Sequence, residues 1–293
     1  YGTYAVGTVS GTSITFDSEQ VIDSAGNTGA INGCLYDDNA GKFVAGYSQP
    51  STRIGRSNVI QVDTLSTNVT SENYIGMSSG AVIFNSATET VGSEAVFETA
   101  NSTHITPVYD SNENKTAIFY QDGGNSNYGT AIVATLSGTS LSYGSPVVFE
   151  AATTQQIGAA FDSNSNKVVV AYTDTGNSNH GTAIVGTISG TSISFGTPVV
   201  FNAATTEYSS VVFDSSNNKI VICYRDGGNS NYGTAIVGTV SGTSISFGSE
   251  AVFESATTAY VSAVFDSNSN KVVIGYQDVS NSDHGTAIVG TVS

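Results

Sequence analysis

Short apolar blocks alternate along the chain with runs of Ser, Thr, Asn and Gly, and the blocks recur. Gly129-Thr130-Ala131-Ile132-Val133 returns at Gly181, Gly233 and Gly285, each step being 52 residues. Phe97, Phe149, Phe201 and Phe253 keep that step, as do Lys115, Lys167, Lys219 and Lys271. Such a period makes each unit one supersecondary block. Within a unit the pattern predicts four strands. The first, Ile157 to Phe161, ends at the turn Asp162-Ser163-Asn164-Ser165-Asn166. The second, Lys167 to Tyr172, is apolar at nearly every position, as a strand buried on both faces must be. A loop, Asp174 to Asn179, leads to the third, His180 to Thr187, and Ser189-Gly190-Thr191 makes a tight turn. The fourth alternates as Ser192-Ile193-Ser194-Phe195, which suits an outer strand with one wet face.

Four antiparallel strands per unit, joined by short turns, predict an all-β chain folded as a β-propeller of four-stranded blades. A β-helix coil would be shorter, and an immunoglobulin-like module would need more strands. The predicted organisation is a partial blade at 1–23, then an irregular blade at 24–98. Regular blades follow at 99–150, 151–202 and 203–254, and an incomplete last blade at 255–293. The irregular blade carries a surplus of about 23 residues within Leu65 to Ala87, so five and six blades are both open. A fourth strand from the N-terminal copy is available to complete the last blade and close the ring.

Composition narrows the functions. Eight basic residues against 24 acidic ones give a net charge of −16, which disfavours nucleic acid and anionic membranes as partners. No stretch approaches the ~20 apolar residues that a membrane helix needs. The chain opens inside a repeat and without a signal-peptide pattern, as expected of a mature or cut fragment. Two cysteines, Cys34 and Cys223, make no disulfide framework and read as small buried hydrophobes.

In a propeller, the loops joining strands two and three share a face with the connections between blades. That face would receive Asp122, Asp174, Asp226 and Asp278, and also Glu98, Glu150 and Glu254, while the lysines begin strand two at the other end. The charge is therefore expected to be polarised along the axis. A carboxylate ring is a set that Ca²⁺ would accept. The simpler reading of the Asp and Asn residues is Asx-turns. Tyr128, His180, Tyr232 and His284 share one slot before the Gly-Thr of strand three. A metal ligand would not alternate with Tyr, but a planar group with an apolar face and a polar tip would, and that suits sugar stacking as well as loop anchoring. Arg225 breaks the pattern Gln121, Thr173, Gln277 and is the candidate for an anion or carboxylate contact on the loop face. Arg53 and Arg56 lie in the irregular blade. His104 reads as an ordinary strand position. No nucleophile elbow, H-E-x-x-H or phosphate loop occurs, so the chain is expected not to be an enzyme.

Gly181-Thr182-Ala183-Ile184-Val185-Gly186-Thr187-Ile188, continuing to Phe195, and Phe213-Asp214-Ser215-Ser216-Asn217-Asn218-Lys219-Ile220, continuing to Tyr224, resemble the tandem repeats of structural and tail-fibre proteins of marine phages and bacterioplankton. Thr67 to Gly76 resembles a segment that follows such repeats. The resemblance covers nearly the whole chain and is structural, so no catalytic residue transfers with it. It implies an extracellular, cell-surface or virion element that binds a glycan or receptor. The expected function is therefore a non-enzymatic binding module using the loop face. The alternatives are a building block of a fibre, sheath or lattice, with copies of itself as partners, and, third, a glycoside hydrolase.

Overall fold

A computed structural model describes residues 92–292 in full. Before them it describes the backbone of the strands Gly2–Tyr4, Gly7–Ser10, Ser13–Phe16, Gln20–Asp23, Ile31–Asp37, Lys42–Gln49, Ile54–Gln61 and Thr90–Val91. The expected surplus at Leu65 to Ala87, Arg53, and the side chains of Cys34 and Arg56 lie outside the described residues. The described chain is all-β and antiparallel, with two short 3₁₀ turns at Thr175–Asn177 and Val279–Asn281.

Each unit is a sheet built on its second strand. Lys167–Asp174 pairs on one side with the first strand, Asp162 opposite Lys167, and on the other with the third strand His180–Ser189, Ala183 opposite Ala171. Asn166 at φ 53° turns the first hairpin, and Gly190 at φ 59° turns the tight Ser-Gly-Thr corner, where a left-handed backbone is needed. The third strand's far edge is covered in two pieces. Ser192–Phe195 pairs with Gly186–Ser189, and the start of Val199–Asp214 pairs with His180–Ala183. The expected fourth strand is thus only half of the outer edge. The other half runs without a break into the first strand of the next unit, so Val199–Asp214 serves two sheets.

The core lies between sheets. Because strand side chains alternate, the two faces of one apolar strand serve two interfaces. Val168, Val170 and Tyr172 pack with Ala117, Phe119, Ala131 and Val133 of the preceding unit. Val169 and Ala171 pack with Ile220, Ile222 and Tyr224 of the following one. Val221 and Cys223 then meet Val272, Ile274 and Tyr276. Each buried Val or Ile contributes roughly 1.5–3 kcal/mol, so the second strands hold the stack together from both sides. Phe149 meets Tyr172 edge-on with centroids 5.3 Å apart, and Phe201 meets Tyr224 at 5.2 Å. Cys223 is a free, buried thiol, and burial pushes it up to about 12.

The N-terminal strands pair among themselves, Gly2–Tyr4 with Gln20–Asp23 and Gly7–Ser10 with Ser13–Phe16. Completion of the last unit by an N-terminal strand is not among the described pairings.

Candidate functional site

The first strands of successive units lie side by side and are tied together. Thr106 Oγ1 donates to the Ile157 carbonyl at 2.7 Å, and Ala263 N donates to Ser210 Oγ at 3.0 Å. Each of these strands bulges at one residue, and in every case that residue is left-handed: His104 at φ 51°, Gln156 at 51°, Tyr208 at 54° and Tyr260 at 51°. None is glycine or asparagine, so each such position carries a backbone cost of about 1–3 kcal/mol. The bulges aim these four side chains into one depression of about 390 Å³, completed by Thr106, Ile157, Ser209 and Val261.

Tyr208 and Tyr260 are 5.1 Å apart with their rings tilted by 51°. Tyr260 is 70% exposed, the largest exposed aromatic surface among the described residues. Arg225 forms an ion pair with Glu207 and lies over the Tyr208 ring, 5.1 Å from its centroid. Burial holds the His104 imidazole below its usual pKa, so it is neutral at pH 7. The mouth therefore combines an exposed aromatic face with amide, imidazole and hydroxyl groups, which is chemistry for a polar ring compound with apolar faces.

The residues singled out in the sequence fall around this mouth rather than in it. Asp122, Asp174, Asp226 and Asp278 do end the second strands at the same rim, each opposite the residue two before the bulge. Their carboxylates are spent on their own turns. Asp122 accepts from Gly124 N at 2.9 Å, Asp174 from Asn177 N at 3.1 Å, Asp226 from Gly228 N at 2.9 Å and Asp278 from Asn281 N at 3.1 Å. Asp226 also accepts from Asn202 Nδ2 at 3.0 Å. Among the described residues, no three acidic, His or Cys side chains gather as a metal ion would require. Tyr128, His180, Tyr232 and His284 face these aspartates across the ladder and do not line the depression. Arg225 alone touches it, through Tyr208. His104 belongs to the mouth and is no ordinary strand position. Its signal was a slot holding His, Gln, Tyr and Tyr within an otherwise uniform repeat.

The glutamates are structural as well. Tyr172 donates to Glu150 at 2.9 Å and Tyr276 to Glu254 at 2.9 Å, each bond crossing between units. Burial, then the neighbouring carboxylates, push the Tyr172 phenol up, and burial raises Glu150. The lysine end is not a positive pole, and the contrast along the axis is between an acidic rim and a nearly neutral one. Every lysine that begins a second strand stands opposite an aspartate, Lys115 by Asp110 and Lys271 by Asp266, so that end carries no net positive charge.

No protein-family model and no curated protein sequence matches the chain. Its fold is similar to that of AofleA from Arthrobotrys oligospora, with a TM-score of 0.52 at 10% identity, over 87% of this chain and 66% of that one. It is also similar to exo-β-1,3-galactanase from Phanerochaete chrysosporium, solved as a glutamate-to-alanine variant with β-1,3-galactotriose. There the TM-score is 0.51 at 9% identity, over 92% of this chain and 66% of that one. The chain thus spans just under two thirds of the length of these structures. The architecture is of the β-propeller type. The expectation that the chain is not an enzyme is corrected by the same finding, since an exo-acting glycan hydrolase shares this architecture.

Proposed function

We propose that the chain is a carbohydrate-associating propeller of five blades, closed into a ring, that takes its ligand at the tyrosine-bearing mouth. Among the described residues, five first-and-second-strand hairpins support the blade number, and a strand order that returns from His284–Gly290 to Ile31–Asp37 supports closure. The observation that carries the functional reading is the Tyr208–Tyr260 pair, held on left-handed bulges with one ring largely exposed. Glycine would suit those bulges at lower cost, so the side chains are what the positions are kept for. The galactanase solved with β-1,3-galactotriose lends support as a carbohydrate-active protein that contains a related architecture. Display outside the cell or on a virion rests on the resemblance of the repeats alone.

The test is calorimetry with β-1,3-galactotriose and a panel of neutral oligosaccharides, run on the full chain and on Tyr260→Ala. The expected result is binding that falls at least about tenfold in the variant, with unchanged thermal stability. No binding to any glycan by the parent chain would overturn the reading. Release of free sugar in the same tubes would make the chain a hydrolase.

One observation favours a second reading, assembly with copies of itself. Val264 and Val289, on the face of the last blade that a closed ring would cover, are 59% and 61% exposed, whereas their counterparts Val212 and Val185 are buried against the next blade, so this reading competes with ring closure. Light scattering that rises with concentration would support it, and a constant monomer mass would remove it.

A further inference from the structure

Successive blades are stitched by one recurring bond near the mouth. Gln121 Nε2 donates to the Thr154 carbonyl at 2.8 Å, and Thr173, one period later, donates through Oγ1 to the Thr206 carbonyl at 2.6 Å. Both bonds are buried, and both run from a second strand to the first strand of the next blade. The next residue in this slot is Arg225, and the corresponding carbonyl is that of Thr258. Arg225 makes no bond to it. The guanidinium turns back instead to Glu207, its ladder partner in its own blade, and stacks on the adjacent Tyr208. Its buried Nε is left without a hydrogen-bond partner, a cost that a stitching residue would not incur.

Resting on the carbohydrate reading above, we propose that Arg225 is a positioning residue that fixes the Tyr208–Tyr260 pair as the floor of a single subsite for an uncharged sugar ring. Three observations lead there. The guanidinium covers one face of Tyr208, which leaves the exposed Tyr260 as the face on offer. The equivalent bulges carry His104 and Gln156, so among the described blades only this seam has an aromatic pair. One ligand is therefore expected per chain, not one per blade. Glu207 neutralises Arg225, and a chain of net charge −16 repels an anionic glycan, so a carboxylated or sulfated sugar gains nothing here.

The test uses Arg225→Gln, which installs the residue that Gln121 and Gln277 already provide in this slot, together with Arg225→Lys, which keeps the charge but lacks the planar stack. Three quantities are read: affinity and stoichiometry for β-1,3-galactotriose, the near-ultraviolet circular dichroism of the ligand-free protein, and thermal stability. The expected outcome for the parent is one site per chain, with trigalacturonic acid binding at least about tenfold more weakly than the neutral trisaccharide. For Arg225→Gln, affinity falls at least about tenfold and the tyrosine dichroism falls to that of Tyr260→Ala. Its melting temperature holds or rises as the Thr258 stitch forms, and the lysine variant lies between the two. Parent-like affinity or parent-like dichroism in Arg225→Gln overturns the positioning role. Equal binding of the acidic trimer, or several sites per chain, overturns the single neutral subsite. If the parent binds no glycan the carbohydrate reading falls, and the ligand-free dichroism still decides whether Arg225 orders the pair.

Discussion

At the scale of single residues, the same side-chain type does different work according to what surrounds it. Tyr172 and Tyr224 of the second strands are buried, edge-on to a phenylalanine and bonded to a glutamate, whereas Tyr260 stands in water on a strained bulge. Only the latter has a free ring face. The aspartates divide similarly. Asp174 is nearly buried and caps the 3₁₀ turn Thr175–Asn177 through Asn177 N. Loss of such a cap costs about 1 kcal/mol. Asp174→Ala should lower the melting temperature accordingly and leave glycan affinity unchanged, as thermal melts and calorimetry on one preparation would show. Lost binding at unchanged stability would instead return this aspartate to the site.

At the scale of the element, the connection between blades is the part with least tolerance. A Cβ on Gly144 or Gly196 would lie 1.9 Å from the carbonyl oxygen of Thr191 or Thr243, in the Ser-Gly-Thr corner of the next unit. Gly248 occupies the same slot, and a Cβ there would meet nothing nearer than the Val237 carbonyl at 3.8 Å. Gly196→Ala should therefore cost about 3 kcal/mol through forced backbone movement, while Gly248→Ala should stay within about 0.5 kcal/mol. Chemical denaturation of the two variants checks this, and equal costs would contradict the packing of corner against corner. The second strands were legible in the sequence because an unbroken run such as Val168 to Tyr172 has no exposed face to encode. The outer strand was legible only in part. Ala203 to Thr206 is small and polar and reads as a loop, yet it continues the strand, because its backbone is paired to two sheets in turn. The bulges were not legible at all. Gln and Tyr have no preference for positive φ and His only a modest one, so the conformation shared by 104, 156, 208 and 260 is imposed by packing of the inner strands. Arg225 was visible for the opposite reason, as a break in a repeat, and the same test applied to the bulge slot would have found the mouth.

At the scale of the whole molecule, the net charge of −16 and the buried acids act together on stability. Burial raises Asp110, Asp122 and Glu150 above their ordinary values. A carboxyl raised on folding makes the folded state bind protons that the unfolded chain has released, so stability rises as pH falls through the folded pKa and levels off at the unfolded one. Asp214 and Asp266 oppose this. Desolvation raises Asp214, but bonds from Asn217 and Ser216 outweigh it, and the Ser269 hydroxyl leads the lowering of Asp266. Their contribution is present above the ordinary aspartate pKa and is lost as pH falls below it toward the folded values. The two groups together make the carboxyl contribution to stability largest just above the ordinary aspartate value, while His104, held below its ordinary value by burial, costs stability as pH falls through the imidazole value of the unfolded chain. Self-repulsion among the unbalanced acids is nearly constant while the carboxyls stay ionised, and it is screened over a Debye length of ~8 Å at 0.15 M salt. Melting temperature should therefore change little from pH 8 to 7, lose a small increment as pH falls through the ordinary histidine value of about 6.5, where buried His104 stays neutral while the unfolded chain protonates, and fall steeply below about pH 4. At pH 8 it should also rise with added sodium chloride, and a melting temperature that salt leaves unchanged there would contradict the account.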